Sequence, residues 1–182
     1  MPIDVDTFRQ AMRRLAAGVC LITTETPDGT RTGMTATAVC SVSAHPPTLL
    51  CCINRQNASY QSIAHARVFA INVLALDDRA LADHFAKPIP STEKYSLGLW
   101  GRLETSAPIL ESALAGFDCR LSSAVEVGTH GILFGEIQAV QVRKVPAKPL
   151  LYAHGGYGGF ASMAAAGELD SLWIPTWEEQ DY

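Results

Sequence analysis

The sequence predicts a mainly β chain folded as a mostly antiparallel barrel. Three observations point there. Six or more β-type runs follow one another at close spacing, and helical patterns occur only as interruptions between them. The helix that a doubly wound sheet requires after nearly every strand is missing.

In chain order, Asp4 is placed to cap a short helix in which Phe8, Met12 and Leu15 recur at helical spacing, with Gly18 as its stop. Residues 19–24 form a β-rich run closed by Pro27-Asp28-Gly29, a turn in which each residue has a mechanism. Residues 31–43 make one long strand region of small side chains, stopped by His45-Pro46-Pro47. Residues 48–53 lack polar alternation and are expected to be buried on both faces. A polar loop over residues 54–59 leads into a helix over residues 60–66, with Ser59 as its N-cap. Residues 68–74 are another strand, and Asp77 or Asp78 starts a helix ending near Phe85.

The stretch 87–96, with two prolines, is the expected mobile loop. Three strands follow, over residues 101–104, 117–126 and 132–145, the last two joined through Gly128-Thr129-His130-Gly131. A short strand over residues 149–153 precedes the glycines at 155, 156, 158 and 159, which read as a flexible turn. The composition then changes. Residues 161–182 hold Glu168, Asp170, Glu178, Glu179 and Asp181, no Lys or Arg, and two tryptophans, Trp173 and Trp177. The expected organisation is one domain over residues 1–160 and an acidic tail over 161–182 that docks by its aromatic side chains.

Composition removes several functional classes. Charged residues are 18% of the 182, below the ~25% usual for soluble domains, while 48% are apolar. Disorder is excluded by that much apolar surface. A net charge of −4 leaves no excess of cations for a dedicated nucleic-acid binder. No apolar run reaches the ~18 residues of a membrane span, and Asp4, Asp6, Arg13 and Arg14 interrupt any signal-peptide pattern, so a cytoplasmic protein is expected. Low charge and high apolar content favour a homodimer. Cys20, Cys40, Cys51, Cys52 and Cys119 are odd in number and lack Cys-x-x-Cys spacing, so they read as reduced packing residues.

No Gly-x-Ser-x-Gly supports nucleophilic hydrolysis, and the five histidines lack the i, i+4 pairing of a helical metal site, so no metal is expected. Two stretches carry more. The Gly, Ala and Thr side chains of Gly33-Met34-Thr35-Ala36-Thr37-Ala38 are shallow, so either a flat ring or another strand can lie against them. In Asn54-Arg55-Gln56-Asn57-Ala58-Ser59-Tyr60, amides, a hydroxyl and a cation meet where a helix begins, a place that favours anions. Together they describe a site for a planar heterocycle carrying a phosphate.

With these motifs in order, the chain resembles the flavin reductase-like, FMN-binding split-barrel family, the small reductase components of two-component flavin-dependent monooxygenases. The resemblance runs from Phe8 to about Tyr157. It rests on Leu15-Ala16-Ala17-Gly18-Val19, Ile22-Thr23-Thr24, Gly33-Met34-Thr35-Ala36 through Ser43 and Pro46-Pro47, Phe69-Ala70-Ile71-Asn72-Val73-Leu74, His84-Phe85-Ala86, Gly128-Thr129-His130 and Pro149-Leu150-Leu151-Tyr152.

The family implies a homodimeric, antiparallel Greek-key split barrel with a few flanking helices, flavin lying in a groove near the subunit interface. By motif position, Met34, Thr35, Ala36 and Thr37 line the isoalloxazine with Ser43 nearby, and Cys52, Ile53 and Asn54 follow on the adjacent strand. Asn57 and Ser59 fall on the phosphate loop beside Arg55, Phe85 packs near the flavin, and Tyr152 closes the pocket. His130 matches the nicotinamide position, with an orienting and electrostatic role. Two residues depart from the pattern: His45 stands where Asp usually precedes Pro-Pro, and Asn57 where the phosphate loop usually carries Ser.

The activity implied is hydride transfer from NADH or NADPH to FMN or FAD, supplying reduced flavin to a separate monooxygenase. Two alternatives share the fold: a reductase that retains its flavin and passes electrons to another acceptor such as a corrinoid, and a flavin-binding protein without catalysis.

Overall fold

The computed structural model describes residues 3–160. In chain order the elements are α1 (Val5–Met12), β1 (Ala17–Gly18), β2 (Cys20–Glu25), β3 (Arg31–Ala36), β4 (Val39–Ala44), β5 (Pro47–Asn54), α2 (Ala58–Ala66) and β6 (Val68–Val73). They continue with α3 (Arg79–Ala86), α4 (Ser91–Lys94), β7 (Trp100–Gly101), β8 (Ile109–Leu110), β9 (Ala115–Val127), β10 (His130–Val142), β11 (Leu150–Ala153) and β12 (Gly156–Gly159).

Seven strands form one antiparallel sheet in the order β3-β2-β6-β9-β10-β5-β4. A second sheet, β1-β11-β12, is sewn to it at Val19, whose N–H donates to Leu150 O (2.9 Å) while its carbonyl accepts from Leu74 N (2.9 Å). Strand β2 explains why the sheet is covered on both faces here. Its side chains alternate, Ile22 entering a core with Ile53, Ile63, Phe69 and Leu133, and Leu21 entering a second core with Leu74, Phe85, Leu110 and Leu150. Asn72 is a buried polar group that is fully paired across these layers. Asn72 donates to Leu21 O (3.3 Å) and Thr23 Oγ1 (3.0 Å) and accepts from Leu110 N (2.7 Å).

The predicted antiparallel β architecture is present, with differences of detail that have physical causes. Helix α1 is capped by Asp4, whose carboxylate accepts from Thr7 N (2.9 Å), but it ends at Met12, well before Gly18. The long strand over 31–43 is two strands, broken at Thr37-Ala38 so that the chain leaves one sheet edge and enters the other. Strand β5 alternates between buried and less buried residues, not buried on both faces, because the side of Leu50 and Cys52 is only partly covered. The cap of α2 is Asn57, not Ser59: the Asn57 carboxamide accepts from Ser59 N (2.9 Å).

The stretch 87–96 contains α4 and is held by side chains. Its Tyr95 hydroxyl donates to Thr32 O (2.8 Å), and His84 Nε2 lies 2.9 Å from Glu93 O. The expected strand at 101–104 shrinks to β7, and the glycines after Tyr152 form β12, not a flexible turn. All five cysteines are unpaired; Cys20, Cys51 and Cys119 are core residues, whereas Cys40 is exposed and lies outside the core. Among the described residues no helix is long and apolar enough to cross a membrane.

Candidate functional site

Strand β3 is a sheet edge, so its outward N–H and C=O groups need partners other than a strand. Helix α4 supplies one to the backbone, and α3 takes a side-chain bond from the strand. Lys94 Nζ donates to Gly33 O (3.0 Å) and Phe85 O (3.0 Å), and Thr35 Oγ1 donates to Ala82 O (2.6 Å). The smallness of this strand now has a cause. A Cβ on Gly33 would stand 2.8 Å from the Phe85 ring, so glycine is required for Phe85 to lie there. Phe85 in turn packs edge-on to Tyr95 (centroids 5.3 Å apart) and beside Trp100 (5.4 Å), making an aromatic wall.

Between β3, the start of α2 and the 85–94 segment lies a cavity of about 430 Å³, within the size range of small-molecule sites. Met34, Thr35, Asn57, Ser59 and Phe85 line it, so five of the residues singled out by sequence meet in one place. Two residues the sequence does not single out, Lys87 and Lys94, also line it, and among the described residues no carboxylate does. An ammonium has three donors, and Lys94 spends two on carbonyls, leaving one for the cavity. Burial lowers its pKa, because the charged form is the one that loses solvation. The first turn of α2 adds its N-terminal field. Thr32 on the same wall has a buried hydroxyl with no hydrogen-bond partner among the described residues. This donor set, cations, hydroxyls and a helix N-terminus without an opposing acid, fits the phosphate end of a flavin nucleotide. Lysines spaced along a Pro-containing loop give no pattern to read, which is why sequence alone did not find them.

Other candidates stand elsewhere on the chain. His130 opens β10 directly opposite Asn54 and is exposed, with Nδ1 2.9 Å from Thr129 Oγ1. Arg55 sits with this group, not in the cavity. Its guanidinium pairs with Glu126 (3.0 Å), and its backbone N–H donates to Thr129 O (3.0 Å). Arg55, Glu126, Gly128 and Thr129 line a separate recess of about 420 Å³. Thr37 and Tyr152 line a groove against α1. Ser43 is exposed on β4 and bonded to His45, Cys52 is half-buried on β5, and Ala36 and Ile53 belong to the core. The loop from Asn54 to Asn57 joins the two halves, with Asn57 at the cavity and Arg55 beside Thr129.

Comparison with known proteins is consistent with this geometry. The family model described as "Flavin reductase like domain" matches residues 12–161. The FMN reductase (NADH) RutF 2 of Methylorubrum extorquens (strain PA1) is 44% identical over 151 residues, covering 83% of this chain and 87% of the relative. Among solved structures, the Streptomyces globisporus C-1027 NADH:FAD oxidoreductase SgcE6 superposes with a TM-score of 0.82 at 27% identity, covering 89% of this chain and 96% of that one. BorF, the flavin reductase component of a bacterial two-component tryptophan halogenase, superposes with a TM-score of 0.80 at 28% identity, covering 87% and 99%. A match of this extent, on an antiparallel split barrel with the cavity described above, establishes that the chain belongs to the flavin reductase-like family of oxidoreductases.

Proposed function

We propose that this chain is an NADH-dependent FMN reductase that releases reduced flavin to a separate flavin-dependent monooxygenase or halogenase. The observation that carries the reading is the lysine-bearing cavity at the start of α2, which among the described residues has no acid in its lining and suits a flavin phosphate. The names of the relatives support FMN and NADH, and BorF supports a role as one component of two.

A bound flavin supplies the hydride-accepting ring; the chain supplies position. Lys87, Lys94, Ser59 and the α2 N-terminus hold the phosphate, and the Asn57 side chain keeps that first turn in place by capping Ser59 N. Met34 and Thr35 provide the wall along which the ring extends. Thr129 holds the His130 imidazole through Nδ1, which leaves Nε2 to orient the carboxamide of a nicotinamide. No acid–base pair is needed for hydride transfer, and none is assigned.

A homodimer completes the reading. Val42 on the edge strand β4 and Val125, Val127, Val140 and Val142 on the interior β9–β10 hairpin are exposed apolar residues, which favours cover by a second copy. Pairing there supports a site to which two copies contribute, with the cavity of one facing the His130 region of the other.

Mixing purified protein with NADH and riboflavin, FMN or FAD tests the proposal. Colourless protein that oxidises NADH only when flavin is added, and best with FMN, is expected. No oxidation with any of the three flavins overturns it.

A further inference from the structure

We propose that the acidic, tryptophan-bearing segment 161–182 docks on its own chain in the groove between α1 and Tyr152. Helix α1 has no buried residue. Its apolar side chains nevertheless fall on one face and run into the following turn: Val5 is 58%, Phe8 53%, Met12 48% and Leu15 61% exposed. An amphipathic helix with its apolar face open lacks the packing from which short helices draw most of their stability. Phe8, Met12, Leu15 and Tyr152 wall a groove of about 450 Å³ whose remaining lining includes Arg9 and Arg13.

Three observations commit that groove to the tail. The first is complementarity of charge and hydropathy. Residues 161–182 carry five acids and no Lys or Arg, with Leu172, Trp173, Ile174 and Trp177 as apolar anchors. Arg9 is shared only loosely with Asp6 (3.6 Å, both exposed), and Arg13 makes no ion pair among the described residues. The second is where the chain leaves the fold. Strand β12 pairs with β11 so that Tyr157 lies opposite Tyr152, the groove wall, with ring centroids 5.4 Å apart. His154 N donates to Arg13 O (2.7 Å), tying the end of α1 to the β11–β12 turn. The third is reach. The thirteen steps from Phe160 to Trp173 span up to about 45 Å when extended, several times the ~12 Å length of α1. The inference does not rest on flavin chemistry.

Hydrogen–deuterium exchange on the full chain tests it. In the wild type the amides of α1 are expected to be protected, and Trp173→Ser with Trp177→Ser should speed their exchange about tenfold while β2 and β6 stay unchanged. Arg9→Glu with Arg13→Glu should do the same, and adding Glu178→Arg with Glu179→Arg should restore protection. The tail variant alone decides if the helix variant unfolds α1. Equal exchange of α1 in wild type and tail variant overturns the proposal. So does protection that grows with protein concentration but ignores the tail substitutions, which assigns the groove to a second copy.

Discussion

Replacing Lys94 with Met keeps the length of the side chain and removes its charge. Two effects follow. The carbonyls of Gly33 and Phe85 lose their donor, and the cavity loses one of its two cations. A part-buried carbonyl left without a partner costs about 1–3 kcal/mol, here toward the lower figure because the cavity admits water. A hydrogen bond to a charged group contributes about 1.5–3 kcal/mol, again toward the lower figure for a partly solvated lysine, so FMN should bind roughly tenfold more weakly. Riboflavin has no phosphate and should lose much less. Fluorescence titration with both ligands reads the difference directly. Equal losses for FMN and riboflavin would refute the phosphate contact and leave Lys94 as a brace for the β3 edge. Burial also lowers the pKa of Lys94, so its charge is lost at lower pH than in an ordinary lysine. The preference for FMN over riboflavin should therefore fade on raising the pH sooner than an unperturbed lysine would allow.

Gly131→Ala would place a Cβ 2.2 Å from the Tyr60 ring, which is buried under β10. Overpacking of this kind costs about 1–3 kcal/mol, and thermal unfolding should show a loss of roughly 2–4 °C per kcal/mol; an unchanged midpoint means Tyr60 has room to move. Burial alone would raise the Glu25 pKa, but hydrogen bonds and charge from Arg102 and Arg31 outweigh it and hold the carboxyl below its ordinary value. That stabilisation is present above the unfolded-state pKa and is lost as pH falls through the folded one. Urea midpoints of wild type and Glu25→Gln should differ near neutrality and converge in acid; a constant gap would remove Glu25 from the acid response. His130→Ala is expected to slow flavin reduction about 10–100-fold in stopped-flow at saturating flavin, and an unchanged rate would end its orienting role.

What the sequence could disclose was what local chemistry dictates. Runs of β-type residues between turn residues located β2, β6, β9 and β10, because these strands carry the core. The break at Thr37-Ala38 was illegible: no Gly or Pro marks it, and it exists only because β3 and β4 lie on opposite edges of the sheet. Strand β12 was illegible for the converse reason, since three of its four residues are glycines and its pairing comes entirely from β11. At the site, Asn57 and Ser59 stood out by their place before a helix, and Met34 and Thr35 by their small neighbours. Lys94 did not. Its role comes from a contact 61 residues away in the chain, which no local pattern encodes.

Four consecutive residues, Asn54 to Asn57, are anchored at both ends: Asn57 caps the helix that walls the cavity, and Arg55 is bonded to the Thr129 backbone beside His130. A shift at the start of α2 therefore has two residues to cross before it reaches the Thr129 backbone, so a disturbance in one recess is expected to be felt in the other.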